Sequence, residues 1–150
     1  LVKIQARYIY EALQNIDPTG KEVYQKGYNA LVKELEEVDK ELQAALAPFK
    51  GNTIFVFHPA FGYLTDRYGL KQVAIETGGK EPAPSVLEEI IEYAKKEQVK
   101  IIFVQPEFSK TMAESIAEAI GGAVVTLNPL NPDYINNLKT MLNEIEKAFR

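Results

Sequence analysis

Cysteine is missing from this chain of 150 residues. Its absence excludes disulfide scaffolds, thiolate zinc sites and cysteine nucleophiles, but leaves the compartment open. Histidine is almost missing too: His58 stands alone, so any imidazole chemistry of the chain uses that residue. Positive charge is in deficit, 17 Lys and Arg against 21 Asp and Glu, for a formal net charge of -4. A nucleic-acid binder needs a basic stripe, and so does a binder of anionic membranes; both classes are disfavoured. No apolar run is long enough to span a bilayer. There is no repeat of fixed period and no low-complexity tract. The opening residues Leu1-Val2-Lys3-Ile4 carry no initiator Met and no signal-peptide pattern. They begin inside a helical pattern, so a fragment or a trimmed chain is expected.

What is present is the composition of one globular core, with 46% hydrophobic and 25% charged residues. Residues 1–16 read as a short helix, with Ile4, Tyr8, Ala12 and Ile16 at every fourth position. Asp17-Pro18-Thr19-Gly20 is a turn, and Thr19 with Glu22 forms a capping box for the next helix. In that helix Tyr24, Tyr28, Leu31, Leu35, Val38, Leu42 and Ala45 step by four and three, up to Pro48. It spans about 40 Å at the usual rise per residue, enough to support two lobes or to pack into an oligomer. The charges between the stripes, such as Glu36, Glu37 and Lys40, read as a solvated face.

From Thr53 the pattern changes. Thr53–Phe57, Gln72–Ile75, Lys100–Val104 and Ala123–Leu127 are apolar, β-branched runs of strand length. Helical patterns lie between them: Pro59–Tyr68 closed by Gly69, a helix opened by a Ser85/Glu88 capping box, and one from Ser109 to Gly121-Gly122. Asn131-Pro132 then supplies a cap and a first-turn proline for a last helix to Phe149. The alternation predicts an α/β fold with a four-stranded parallel sheet flanked by helices, preceded by a short helix and a long one.

Ligands of open α/β sheets sit at the carboxyl ends of the strands. Those ends carry His58, Glu76, Gln105 with Glu107 just beyond, and Asn128. No phosphate-cradling glycine loop follows any strand; Gly78-Gly79 lacks the required spacing. A phosphoacceptor receiver needs an aspartate where His58-Pro59 stands, and no nucleophile motif is present. His58 reads either as a metal ligand or general base, or as a structural residue capping a helix at Pro59. Glu76 is a partner for His58 or, slightly favoured, a solvated loop acid. Phe55, Phe57, Phe61, Tyr63 and Tyr68 are expected to pack, Asp66-Arg67 to pair at the surface, and Glu81 to fix a loop. Asn128-Pro129 and Asn131-Pro132 suit turns and caps.

The segment His58-Pro-Ala-Phe-Gly-Tyr-Leu-Thr-Asp-Arg-Tyr-Gly-Leu70 resembles the third metal-ligand motif of the cluster A-I (TroA-like) solute-binding proteins, in particular their zinc-binding ZnuA-like branch. Glu81-Pro-Ala-Pro84, Phe103-Val-Gln-Pro-Glu-Phe-Ser109 and Leu127-Asn-Pro-Leu130 extend the resemblance. So do Asp17-Pro18 and the long helix with Tyr24, Leu35 and Asp39. It implies an extracytoplasmic receptor of a metal ABC transporter, not an enzyme, with two lobes joined by a rigid helix and the metal held between them. Residues 1–16 would then be a helix left from the N-terminal lobe, 19–48 the backbone helix between lobes, and 52–150 the C-terminal lobe.

The resemblance makes His58 the one metal ligand of this lobe. Glu76, Gln105 and Glu107 lie in the cleft around it, and Asn128, a poorer ligand than an acid, lies near the site. Two further histidines would come from the missing N-terminal lobe, so the site in this chain is incomplete. The manganese-binding branch tends to carry Glu at the His58 position and an acid, the fourth ligand, at the Asn128 position. His58 and Asn128 therefore both point to Zn²⁺ over Mn²⁺, since imidazole suits zinc. The Gln105 position also often carries an acid in this family. The implied partners are Zn²⁺ and a membrane ABC permease, with no nucleic acid. Two rivals remain: a chelatase-like metal-handling enzyme, and a lobe whose exposed helical stripe drives homodimerisation.

Overall fold

The computed structural model describes residues 1–76, 78–80 and 82–150; Glu81 lies outside the described residues. The chain divides into two compact units, Leu1–Glu41 and Leu42–Arg150.

The first unit holds α1 (Val2–Ile16), a 3-10 turn (Pro18–Gly20) and most of α2 (Lys21–Leu46). At 26 residues, α2 is about 39 Å long. Tyr10 stacks on Tyr28 with ring centroids 4.8 Å apart, and its hydroxyl bonds Gln25 and Gln14. The expected Thr19/Glu22 capping box gives way to a stronger acceptor. The Asp17 carboxylate takes the Thr19 and Gly20 N–H groups and the hydroxyls of Thr19 and Tyr24. The stripe of α1 is not covered: Ile4, Tyr8 and Ile16 are exposed, and Ala6 is the residue α1 buries. On α2, Leu35 and Val38 are buried.

The second unit is the α/β fold expected from the sequence. Its strands are β1 (Thr53–Val56), β2 (Lys71–Ala74), β3 (Ile101–Val104) and β4 (Ala123–Thr126). All pair in parallel, in the order β2-β1-β3-β4. The crossovers run through α3 (Gly62–Tyr68), α4 (Pro84–Lys96) and α5 (Thr111–Ile120), and α6 (Tyr134–Phe149) closes the chain. Side chains alternate faces along a strand. Phe55, Phe57, Ile102 and Val104 therefore share one core with Ile75, Ala94, Ala113, Ile116 and Ala117. Ile54, Val56 and Phe103 take the opposite face and are equally buried, as are Leu42, Leu46, Met141 and Ile145. Burying each large apolar side chain contributes roughly 1.5–3 kcal/mol.

Several helix starts differ from the sequence expectation for local reasons. Pro84, with its fixed φ, takes the first helical position of α4. Ala83 is therefore the cap, and Ser85 lies inside the helix where no capping box can form. At α6 two side-chain turns delay the start. Asn128 Oδ1 accepts from the Leu130 N–H and Asn131 Oδ1 from the Asp133 N–H, so the helix opens at Tyr134. At α5 the Ser109 hydroxyl accepts from the Thr111 N–H, and Lys110 is the cap. Both glycine stops hold: Gly69 and Gly121 are left-handed C-caps, and the Leu70 and Gly122 N–H groups reach back to Thr65 and Ala117.

Candidate metal centre

The sheet order reverses between β1 and β3, because β2 lies on one side of β1 while β3 and β4 lie on the other. This is the switch point at which open α/β sheets bind ligands, at the carboxyl ends of the strands. His58 follows β1 at that place. Glu76 follows β2 on one flank, its N–H donating to the Phe57 carbonyl at 3.1 Å. Gln105 follows β3 on the other flank, beyond the bond from the Phe57 N–H to the Phe103 carbonyl. Residues 18 and 47 positions away in sequence thus become neighbours of His58.

His58 Nδ1 lies 2.6 Å from Glu76 Oε1, with side chains 41% and 3% exposed respectively. Glu76 is therefore a buried partner of the imidazole, and the favoured reading of it as a solvated loop acid is corrected. The residues explain why: the ladder between β1 and β2 runs on past Ala74 through Ile75 and Glu76, which carries the carboxyl group inside. Its second oxygen, Oε2, is buried and has no hydrogen-bond partner among the described residues.

Gln105 is 1% exposed. Its Nε2 donates to the His58 carbonyl at 2.8 Å, and its Oε1 accepts from the His58 N–H at 3.4 Å. Gln72 of β2 makes a similar bond, its Oε1 accepting from the Phe61 N–H at 2.9 Å. Together the two amides pin the loop 58–61. Within it the Ala60 N–H donates to the His58 carbonyl across Pro59, a tight turn that delays α3 to Gly62 with Phe61 as its cap. The alternative that His58 caps a helix at Pro59 therefore falls.

Phe108 stacks on the His58 ring, centroids 4.9 Å apart and planes 21° apart, and also meets Phe57 at 5.5 Å. The sequence reading did not single it out, although it lies in the Phe103–Ser109 segment that carried part of the resemblance. Phe55, Phe57 and Phe61 are buried as expected, Tyr68 is half-buried, and Asp66 and Arg67 are exposed. Tyr63 corrects the packing expectation: it is 81% exposed, on the outer side of the short helix α3.

Glu107 is exposed. Asn128 stands at the end of β4, two strand spacings from β1, about 9–10 Å in the backbone. Its side-chain oxygen serves the Leu130 N–H and its carbonyl accepts from Asn137 at 2.8 Å. Turn chemistry accounts for Asn128, as the sequence allowed. Among the described residues no three His, Asp or Glu side chains converge as a metal site. Imidazole with a buried carboxylate behind it is nevertheless the usual donor arrangement of a zinc-ligating histidine.

This geometry sits in a chain with clear relatives. Residues 1–148 match the family described as ZnuA, zinc-uptake complex component A, periplasmic. The chain belongs to that family. A high-affinity zinc uptake system protein ZnuA of Bacillus subtilis is 31% identical over 132 residues, 87% of this chain and 41% of that protein. A crystal structure of ZnuA superposes with a TM-score of 0.95 at 35% identity, over 98% of this chain and 58% of the other. A Zn(II)-bound AdcAII variant of Streptococcus pneumoniae gives 0.85 at 33%, over 99% and 57%. The chain thus spans about half the length of these relatives. No helix among the described residues is long and apolar enough to cross a membrane.

Proposed function

We propose that this chain is the C-terminal part of an extracytoplasmic solute-binding protein that captures Zn²⁺ and passes it to an ABC-type permease, and that it has no catalytic role. The observation that carries the reading is the sole histidine, half-exposed at the switch point of the sheet and held there by Glu76, Gln105 and Phe108. His58 ligates zinc through one imidazole nitrogen, with the ring neutral when bound. The zinc-uptake description of the family and the zinc named for its relatives support the choice of cargo. Residues 52–150 act as the C-terminal lobe, α2 as the helix joining it to an N-terminal lobe, and α1 as a helix of that lobe. The remaining zinc ligands come from outside the described His58 cluster.

Calorimetric titration with Zn²⁺ and, separately, Mn²⁺ tests the cargo. Heat from zinc and none from manganese is expected, since an imidazole donor suits zinc. Manganese binding more tightly than zinc would assign the chain to manganese. Zinc insertion into a porphyrin by the chain would favour the chelatase-like alternative.

A further inference from the structure

We infer that Glu76 is the positioning residue that sets the tautomer of His58, holding the ring hydrogen on Nδ1 and leaving the Nε2 lone pair as the metal-facing donor. The inference deepens the zinc reading above, but its first half concerns the metal-free chain and stands without it.

His58 Nδ1 and Glu76 Oε1 are 2.6 Å apart. An ionised carboxylate only accepts hydrogen bonds, so Nδ1 is the donor, and the short distance fits a charge-assisted bond. A neutral imidazole carries one ring hydrogen. With that hydrogen on Nδ1, Nε2 has a free lone pair, and no described group bonds to it. The opposite arrangement, a protonated Glu76 donating to Nδ1, would put the hydrogen on Nε2 and close that nitrogen to a metal. The ring has little freedom to escape the choice. Phe108 stacks on its face, and Gln105 holds both polar groups of its main chain. Among the described residues Glu76 Oε1 bonds His58, and the buried Oε2 has no partner. The carboxyl group thus has no other described hydrogen-bonding task. Histidine ligands of zinc generally need such a partner, and losing it costs roughly 10- to 100-fold in metal affinity.

The single histidine makes the test clean, because a ¹⁵N-labelled sample gives one pair of ring-nitrogen signals. Long-range ¹H–¹⁵N correlation is recorded on the metal-free chain at mildly alkaline pH. Nδ1 is expected to show the protonated, pyrrole-type shift and Nε2 the pyridine-type shift. Glu76→Ala should release the ring into an exchanging mixture. Glu76→Gln, whose amide oxygen can accept in the same place, should restore the Nδ1–H signature. A hydrogen on Nε2 in the unmodified chain overturns the inference even if Glu76→Ala does not fold. A signature unchanged in folded Glu76→Ala overturns it too. Added Zn²⁺ should move Nε2, and Glu76→Ala should bind roughly 10- to 100-fold more weakly; zinc on Nδ1 contradicts the assignment. Should zinc leave both nitrogens unmoved while the tautomer is as stated, the zinc reading fails and the role of Glu76 in the metal-free ring survives.

Discussion

Gln105 holds His58 by its main chain, donating to its carbonyl at 2.8 Å and accepting from its N–H at 3.4 Å. The amide does what a further residue of β3 would do: it continues the ladder one step beyond the strands, with side-chain atoms. Because Gln105 is 1% exposed, no water replaces those bonds cheaply when the amide is lost. Gln105→Ala should lower stability by about 1–3 kcal/mol, read from the urea midpoint, and should weaken zinc binding because the histidine is less well placed. Unchanged stability and unchanged zinc affinity in this variant would mean that the clamp positions nothing.

Two glycines make opposite predictions. A Cβ on Gly122 would stand 2.5 Å from the main-chain oxygen of Lys100, the same oxygen that accepts from the Ala123 N–H at the start of β4. Backbone cannot step aside as a side-chain tip can, so Gly122→Ala should cost about 1–3 kcal/mol by overpacking. Gly27 lies inside α2 with nothing within 4 Å of an added Cβ. Gly27→Ala should raise stability by about 0.5–1 kcal/mol through lower backbone entropy in the unfolded chain. Denaturation of both variants checks the pair. A neutral Gly122→Ala would contradict the close approach of β3 and β4.

The pH dependence of the first unit should come from Asp17. Hydrogen bonds from the Thr19 hydroxyl first, then from the Tyr24 hydroxyl and the Gly20 and Thr19 N–H groups, hold its carboxyl below the ordinary value of 3.8. The same bond to Asp17 raises the Tyr24 phenol. A carboxyl group lowered on folding adds stability that is present above its unfolded value and lost as pH falls through the folded one. Asp17→Ala should therefore melt below the parent chain at neutral pH, and the two curves should converge in strong acid. Circular dichroism at both pH values reads this directly. A gap that does not narrow in acid would show that the carboxylate is not the source.

The fold was legible because strand and helix periods alternate without ambiguity after Thr53. Each crossover must return the chain to the same edge of a parallel sheet. The sequence therefore placed His58, Glu76, Gln105 and Asn128 at one edge. It could not say which of them are neighbours, because that depends on strand order. The order β2-β1-β3-β4 sets Glu76 and Gln105 on either side of His58 and leaves Asn128 two strands away. Glu76 looked like a loop acid because the ladder runs one residue past Gln72–Ile75, the apolar run that marks β2. Phe108 was hidden for a similar reason: its ring meets His58 across 50 positions of sequence, a pairing with no local periodicity. The helix starts missed by a few residues where Pro84, Asn128 and Asn131 impose their own geometry before the helix begins.

The central claim is that His58 holds zinc, and the most direct measurement is calorimetric titration of the chain with Zn²⁺ beside His58→Ala, at neutral and mildly acid pH. Proton competition for the imidazole should weaken binding in acid. The account predicts zinc binding that is weak, as suits one ligand of a site completed elsewhere, and that vanishes in His58→Ala. Zinc binding that is indifferent to the loss of His58 would contradict it.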